Sequence, residues 1–299
     1  MDIGFGVLSC YWVRAFAMAC DFTPMANPKW RKMQLNLSLF PYIASLLSLY
    51  EKAGQQPDNL CGPYWISLLL QSHGMHSVSA VDVALSASTV LPSQGNPMDW
   101  LPPQASSRLG PGYECIPTIP DIEACGTSVT GLIHATEQLS QGQFCLIPLQ
   151  SMSWMDGLLA IWELANIYPD WQIIPILNAH TSYFWGSTPP LLSLLTYLDG
   201  RPTSMPAADW SVGHFALLIG QCQGRVQSLY TLLDTYPQFG WNGIHLQSPK
   251  AIAQSLQRPN QTTQGGIALF VATQWRSHLI PLAENAGLQI IPWNNGTSS

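Results

Sequence analysis

Charge is what this chain has least of. Only 9% of its 299 residues are Asp, Glu, Lys or Arg, against about 25% in an average soluble protein. Lys and Arg together number eleven, they form no basic cluster, and the net charge is −6. A nucleic-acid footprint needs a basic stripe, so nucleic acid is excluded as an expected partner. Disorder combines low hydrophobicity with high net charge; here 47% of residues are hydrophobic and twelve are Trp. The 23 Gly show no period and the 24 Pro interrupt long helices, which excludes collagen and coiled coil.

Long apolar runs are lacking too. A spanning helix needs about 20 mostly apolar residues. The segment Met33–Tyr50 carries no charge but holds Gln34, Asn36 and Pro41. Trp171–Leu198 is also uncharged, yet contains Pro175, Asn178, His180, Pro189 and Pro190. Both read as core segments, with no membrane span. At the N-terminus, Ala17-Met18-Ala19 before Cys20 faintly resembles a lipoprotein cleavage site. Asp2 stands where a basic region is expected, and Arg14 interrupts the apolar stretch. The expected location is the cytoplasm, with export or a lipid anchor as the alternative. Seven irregularly spaced Cys fit reduced thiols better than a disulfide framework.

Metal and phosphate motifs are missing as well. Neither Cys-x-x-Cys nor His-Glu-x-x-His occurs. His73 and His76 are three apart, but Gly74 breaks the helix that would align them. Gly110-Pro111-Gly112 lies in a Pro-rich stretch and reads as a turn. No metal and no cofactor is expected. Cys115 and Cys125 flank Pro117 and Pro120 and are expected reduced.

What is present is a run of helices followed by strands. Helices are predicted over Tyr42–Lys52, Pro63–His73, Val129–Leu139, Asp156–Asn166, Leu191–Leu198 and Ser248–Leu256. Strands are predicted over Phe144–Leu149, Trp171–Leu177, His214–Gly220, Ser228–Leu233 and Gly266–Ala272. The turn Gln221–Gln227 makes His214–Gly220 and Ser228–Leu233 a hairpin with room for a bulge. This order argues for an α+β fold.

Three segments could carry chemistry. Cys61, in Gln55-Gln56-Pro57-Asp58-Asn59-Leu60-Cys61-Gly62-Pro63, falls at the start of an apolar helix. Unpaired N–H groups and the helix dipole favour a thiolate there; a Cys that merely packs is the competing reading. His214 opens an apolar strand after Gly213 and could present its imidazole at the sheet rim, or simply cap the strand. Asp234 ends the next strand before Thr235-Tyr236-Pro237. In a hairpin turning near Gly224, His214 and Asp234 share the open end, so Asp234 could fix the His tautomer; it could equally cap a turn.

Taken in order, these residues resemble papain-like cysteine peptidases, closest to the bacteriocin-processing group of bacteria. The resemblance rests on a Gln shortly before Cys61-Gly62-Pro63, on His214 with its apolar strand, and on a strand ending in Asp234. It covers Gln55–Leu149 and Val212–Thr273, roughly half the chain. It implies a papain-like fold: an N-terminal helical part, with the catalytic Cys at a helix start, packed on an antiparallel β-sheet. It also implies Cys61 as nucleophile, His214 as base and acid, Asp234 as orienting residue, and Gln55 as oxyanion-hole donor, with Gln56 as the alternative. Gly62, Gly213 and Trp185 would line the substrate cleft. One domain is expected, with an extension at about 1–40, a core at 41–149 and 211–275, an insertion at 150–210 and a tail at 276–299. The implied activity is peptide or protein hydrolysis through an acyl-thioester, the alternatives being acyl transfer (a peptide ligase or transglutaminase-like enzyme) and non-catalytic binding on the same scaffold.

Overall fold

A computed structural model describes residues 36–259 and 261–297. The N-terminal features discussed above, including Cys20, lie outside the described residues. In chain order the elements begin with β1 (Asn36–Leu39), α1 (Ile43–Ala53), α2 (Cys61–Ser72) and α3 (Ala80–Ser86). Two short strands follow, β2 (Leu91–Pro92) and β3 (Thr118–Ile119), then α4 (Val129–Leu139), β4 (Phe144–Ser151), α5 (Trp154–Ile167) and β5 (Ile174–His180). The C-terminal half holds α6 (Leu191–Leu198), β6 (Gly213–Gln223), β7 (Ser228–Leu233), β8 (Ile244–Gln247), α7 (Pro249–Gln257), β9 (Gly266–Ala272), α8 (Arg276–Asn285) and β10 (Leu288–Gln289).

The protein is α+β, built on an antiparallel sheet. The strand order is β10-β4-β9-β5-β6-β7-β8, and β1 also pairs with β6. Strand side chains alternate between faces, and the sheet is covered on both. On one face Cys145, Ile147, Leu177, Leu218, Leu232, Ile267 and Leu269 form a core with Leu158 and Ile161 of α5 and with Ile252 and Leu256 of α7. On the other, α2 packs on β6: Trp65 Nε1 donates to the Phe215 carbonyl at 3.0 Å. Apolar burial of this extent is the main stabilising term, roughly 25 cal/mol per Å² removed from water.

Several boundaries follow their local signals. Ser128 and Ser248 accept the Gly131 and Ala251 amides and so cap α4 and α7, and Pro249 stands in the first turn of α7. The proline is tolerated there because that N–H has no helical partner. The helix of Cys61 begins at Cys61 itself, two residues earlier than its proline suggested.

Three features differ from the sequence reading. First, β5 starts at Ile174, not Trp171. Trp171 instead ends a 3-10 turn and stacks between Tyr168 (4.2 Å) and Trp275 (5.2 Å), and left-handed Gln172 turns the chain into the strand. Second, residues 150–210, expected as an insertion, supply β5, which lies between β9 and β6 inside the sheet. Third, the β6–β7 turn lies beyond Gln223↔Ser228, centred past Gly224; the register shift between Leu218 and Gly220 is the bulge for which the hairpin had room. Gly220 is needed where β1 crosses: a Cβ there would sit 2.4 Å from the Ser38 carbonyl oxygen.

Among the described residues no helix is long and apolar enough to cross a membrane.

Candidate active site

Cys61 is the first residue of α2 and is partly exposed. Its position is set by the loop before it. There the buried Asp58 carboxylate accepts the Ser107 hydroxyl (2.6 Å) and the Arg108 amide (3.0 Å). Leu60 precedes the helix without offering a side-chain cap. First-turn amides have no intrahelical acceptor, and Pro63 has no N–H, so the Cys61 and Gly62 amides remain as donors at the helix start. Gly62 is buried: a Cβ there would lie 2.9 Å from Leu132 Cδ1 and 3.2 Å from Phe215 Cδ2. Its missing side chain therefore faces the core, not a cleft, and lets α2 approach β6 one residue from His214.

His214 is buried at the start of β6. Its Nε2 donates to Asp234 Oδ1 at 3.1 Å, with Thr235 Oγ1 at 3.4 Å. Trp210 lies against the ring, 4.7 Å between centroids. Because Nε2 is committed to Asp234, Nδ1 is the nitrogen left for Cys61, which lies near enough to act on the charge of His214. Burial works against a charged imidazole here, but Asp234 and Cys61 outweigh it and raise the His214 pKa. Asp234 has no exposed surface; its Oδ1 also accepts the Tyr236 amide at 3.0 Å. Burial opposes its ionisation, while His214 above all holds its carboxyl below the usual range.

The strand register explains how these two side chains meet. Leu217 opposes Leu233, so continuing the pairing puts Asp234 opposite Ala216. Asp234 and His214 are then diagonal neighbours on one face, within reach of long side chains. They meet along this diagonal, not as a directly opposed pair about Gly224.

The other expected site residues are distributed as follows. Gln55 is turned away: its Nε2 donates to the Ser106 carbonyl at 2.6 Å and its Oε1 accepts Gln238 Nε2 at 3.1 Å. Gln56 is buried, and its Nε2 donates to the Tyr236 hydroxyl at 3.0 Å. Burial first, then the nearby Cys61, pushes the Tyr236 hydroxyl pKa up. Gln56 thus bonds Tyr236, a side chain on which Cys61 also acts. Gly213 is exposed and opposes His180 across the β5–β6 ladder. Trp185 shares no described contact with Cys61 or His214; it lines an open cavity of about 460 Å³ with Phe184, Tyr197, Met205 and Lys250.

Outside this constellation, His73 packs on Phe144 and Phe270 and bonds the Leu69 carbonyl, a structural role. Cys115 and Cys125 are free thiols. Among the described residues no group of three or more His, Cys, Asp or Glu is placed to hold a metal ion.

Sequence reasoning missed His245 and Tyr236. His245 lies on β8, a four-residue strand whose signal was limited to one apolar-polar alternation after Gly243. It is buried, and its Nε2 sits 3.8 Å from Asp234 Oδ2.

Fold and site together define an α+β protein carrying an ordered Cys–His–Asp constellation at one end of an antiparallel sheet. By sequence the chain belongs to DUF6885, a family of unknown function, whose model matches residues 40–294. No curated protein matches the chain.

Proposed function

We propose that this protein is a papain-like cysteine peptidase, or a related amide hydrolase, acting on a peptide or protein through an acyl-thioester on Cys61. The observation that carries the reading is the His214 Nε2–Asp234 Oδ1 bond at 3.1 Å, with His214 also engaging Cys61 at a helix start.

Asp234 fixes the tautomer, so His214 Nδ1 takes the thiol proton. The sulfur attacks the substrate carbonyl carbon, and the oxyanion is met by the Cys61 amide and by Gln56. His214 then protonates the leaving amine as the C–N bond breaks, leaving an acyl-thioester. Water, deprotonated by His214, attacks that carbon and the C–S bond breaks, releasing the acid and the free thiol. Partnership of this kind contributes about 10²–10⁴-fold, and one oxyanion donor about 10²–10³-fold. Neutral or apolar peptides suit a chain so poor in charge.

The test is labelling of the native protein with iodoacetamide across pH, read site by site by mass spectrometry. Cys61 is expected to react ahead of the other cysteines near pH 6, and His214→Ala to remove that advantage. Equal reactivity of Cys61 and the remaining thiols would overturn the assignment.

A further inference from the structure

Behind Asp234 lies a second histidine that the mechanism above does not use. His245 is 1% exposed. Its ring is wedged between Phe239 (4.6 Å) and Phe184 (5.7 Å). The carboxylate of Asp234 faces it through Oδ2, and His214 lies on the far side of that carboxylate. These two are the ionisable groups that act on it.

The tautomer of His245 follows from its other neighbour. Gln247 Oε1 accepts the Trp185 amide at 2.9 Å, and its Nε2 donates to the Trp185 carbonyl at 3.2 Å. This two-point contact orients the Gln247 amide. Its Nε2 also lies 3.3 Å from His245 Nδ1. An amide nitrogen donates only, so His245 Nδ1 accepts, and the ring proton sits on Nε2. That nitrogen lies 3.8 Å from Asp234 Oδ2. Both atoms are buried, and neither has a hydrogen-bond partner among the described residues. An unpaired buried donor facing an unpaired buried acceptor is costly unless the two serve each other.

We propose that His245 is a positioning residue for Asp234: an uncharged imidazole, its proton held on Nε2 by Gln247, that keeps the carboxylate turned so that Oδ1 serves His214. A chain thus runs from Trp185 through Gln247, His245 and Asp234 to His214. This explains why Asp234 has both a charged and an uncharged histidine around it. A cation in place of His245 would compete with His214 for the carboxylate, whereas an uncharged N–H orients it without discharging it. Burial, chiefly, lowers the His245 pKa to about 4, and His214 adds to the effect while Asp234 opposes it. The ring is therefore uncharged across the neutral range, where the pair His214–Asp234 is formed.

The inference rests on the peptidase reading of Cys61, His214 and Asp234, and the experiment separates the two. Iodoacetamide rates at Cys61 are measured from pH 5 to 9 for wild type, His214→Ala, His245→Phe and His245→Gln. His245→Phe keeps a flat aromatic ring, a larger one, but removes the N–H; His245→Gln retains an N–H donor. The Phe variant is expected to lose about tenfold at pH 6 and little at pH 9, where solvent base competes with His214 for the thiol proton. The Gln variant should stay within about threefold of wild type throughout. A loss equal at every pH, equal losses in both variants, or no loss in His245→Phe would overturn the role of His245 while leaving the peptidase reading intact. Failure of His214→Ala to change the rates would instead overturn the peptidase reading. A further measurement needs no variant to fold in bulk: ¹⁵N-histidine spectra of the native protein should show His245 protonated on Nε2 and bare on Nδ1 at pH 7. The opposite tautomer, or an imidazolium, would overturn the proposal.

Discussion

Replacing Gly62 by Ala tests the packing that brings the helix of Cys61 to the strand of His214. The added Cβ would meet Leu132 Cδ1 at 2.9 Å and Phe215 Cδ2 and Cε2 at 3.2 and 3.3 Å. Leu132 and Phe215 are 1% and 3% exposed, so neither can swing into solvent. Overpacking a core in this way costs about 1–3 kcal/mol. The better helix propensity of Ala returns up to about 1 kcal/mol, and less in a first turn. The net loss is therefore about 1–2 kcal/mol. For a domain of this size that lowers Tm by roughly 2–8 °C. No titratable group changes, yet α2 must move away from β6, so iodoacetamide labelling of Cys61 should slow in the same variant. Leu132→Ala supplies the control. It creates a cavity costing about 2–5 kcal/mol by itself, but in the Gly62→Ala background part of that space is filled. The double variant should be more stable than the sum of the two losses predicts, by about 1 kcal/mol. Scanning calorimetry and the labelling rate read both effects. An unchanged or raised Tm with unchanged labelling, or strict additivity with Leu132→Ala, would refute the argument.

Asp234→Asn should slow Cys61 labelling near pH 6 by about 10²-fold, because an amide cannot be acceptor to His214 and Tyr236 while placing its NH₂ beside the His245 N–H; a rate within twofold of wild type would count against the orienting role. Gln56→Ala should slow acylation of Cys61 by a p-nitrophenyl ester by about 10²-fold, while Gln55→Ala changes it little; a stopped-flow burst measures both, and the reverse order would move the oxyanion donor to Gln55. Acid should destabilise the protein through His245. Its folded pKa is about 4 and its unfolded value about 6.5, so protons bind the unfolded chain first as pH falls. Between pH 7 and pH 5 this costs about 2 kcal/mol. The lowered Asp234 pKa acts in the same direction at lower pH, whereas the raised His214 pKa stabilises the acid side and is lost on the alkaline side. Urea unfolding of wild type and His245→Phe at both pH values isolates the His245 share, and a stability difference that does not vary with pH would refute it.

Much of the fold was readable from local signals. Ser128 and Ser248 announce their helices, and Gly266–Ala272 and Ser228–Leu233 are strands with the bounds their apolar runs suggest. Cys61, His214 and Asp234 were legible as an ordered set because each sits at the end of an apolar element. His245 was not, since a short strand with one histidine has no local feature that points to a carboxylate eleven residues earlier. Gln55 and Gln56 differ by one position, and only the contacts with Ser106 and Tyr236 separate them.

The scarcity of charge, the apolar periods, and the Gly and Pro punctuation settle what each segment becomes, because propensity and capping act over a few residues. They leave open which segments become neighbours. The placement of β5 between β9 and β6, the register that sets Asp234 on the diagonal from His214, and the histidine behind that carboxylate all depend on pairing between distant parts of the chain. Those pairings are chosen by burial summed over the whole sheet, a quantity that no single window of sequence contains.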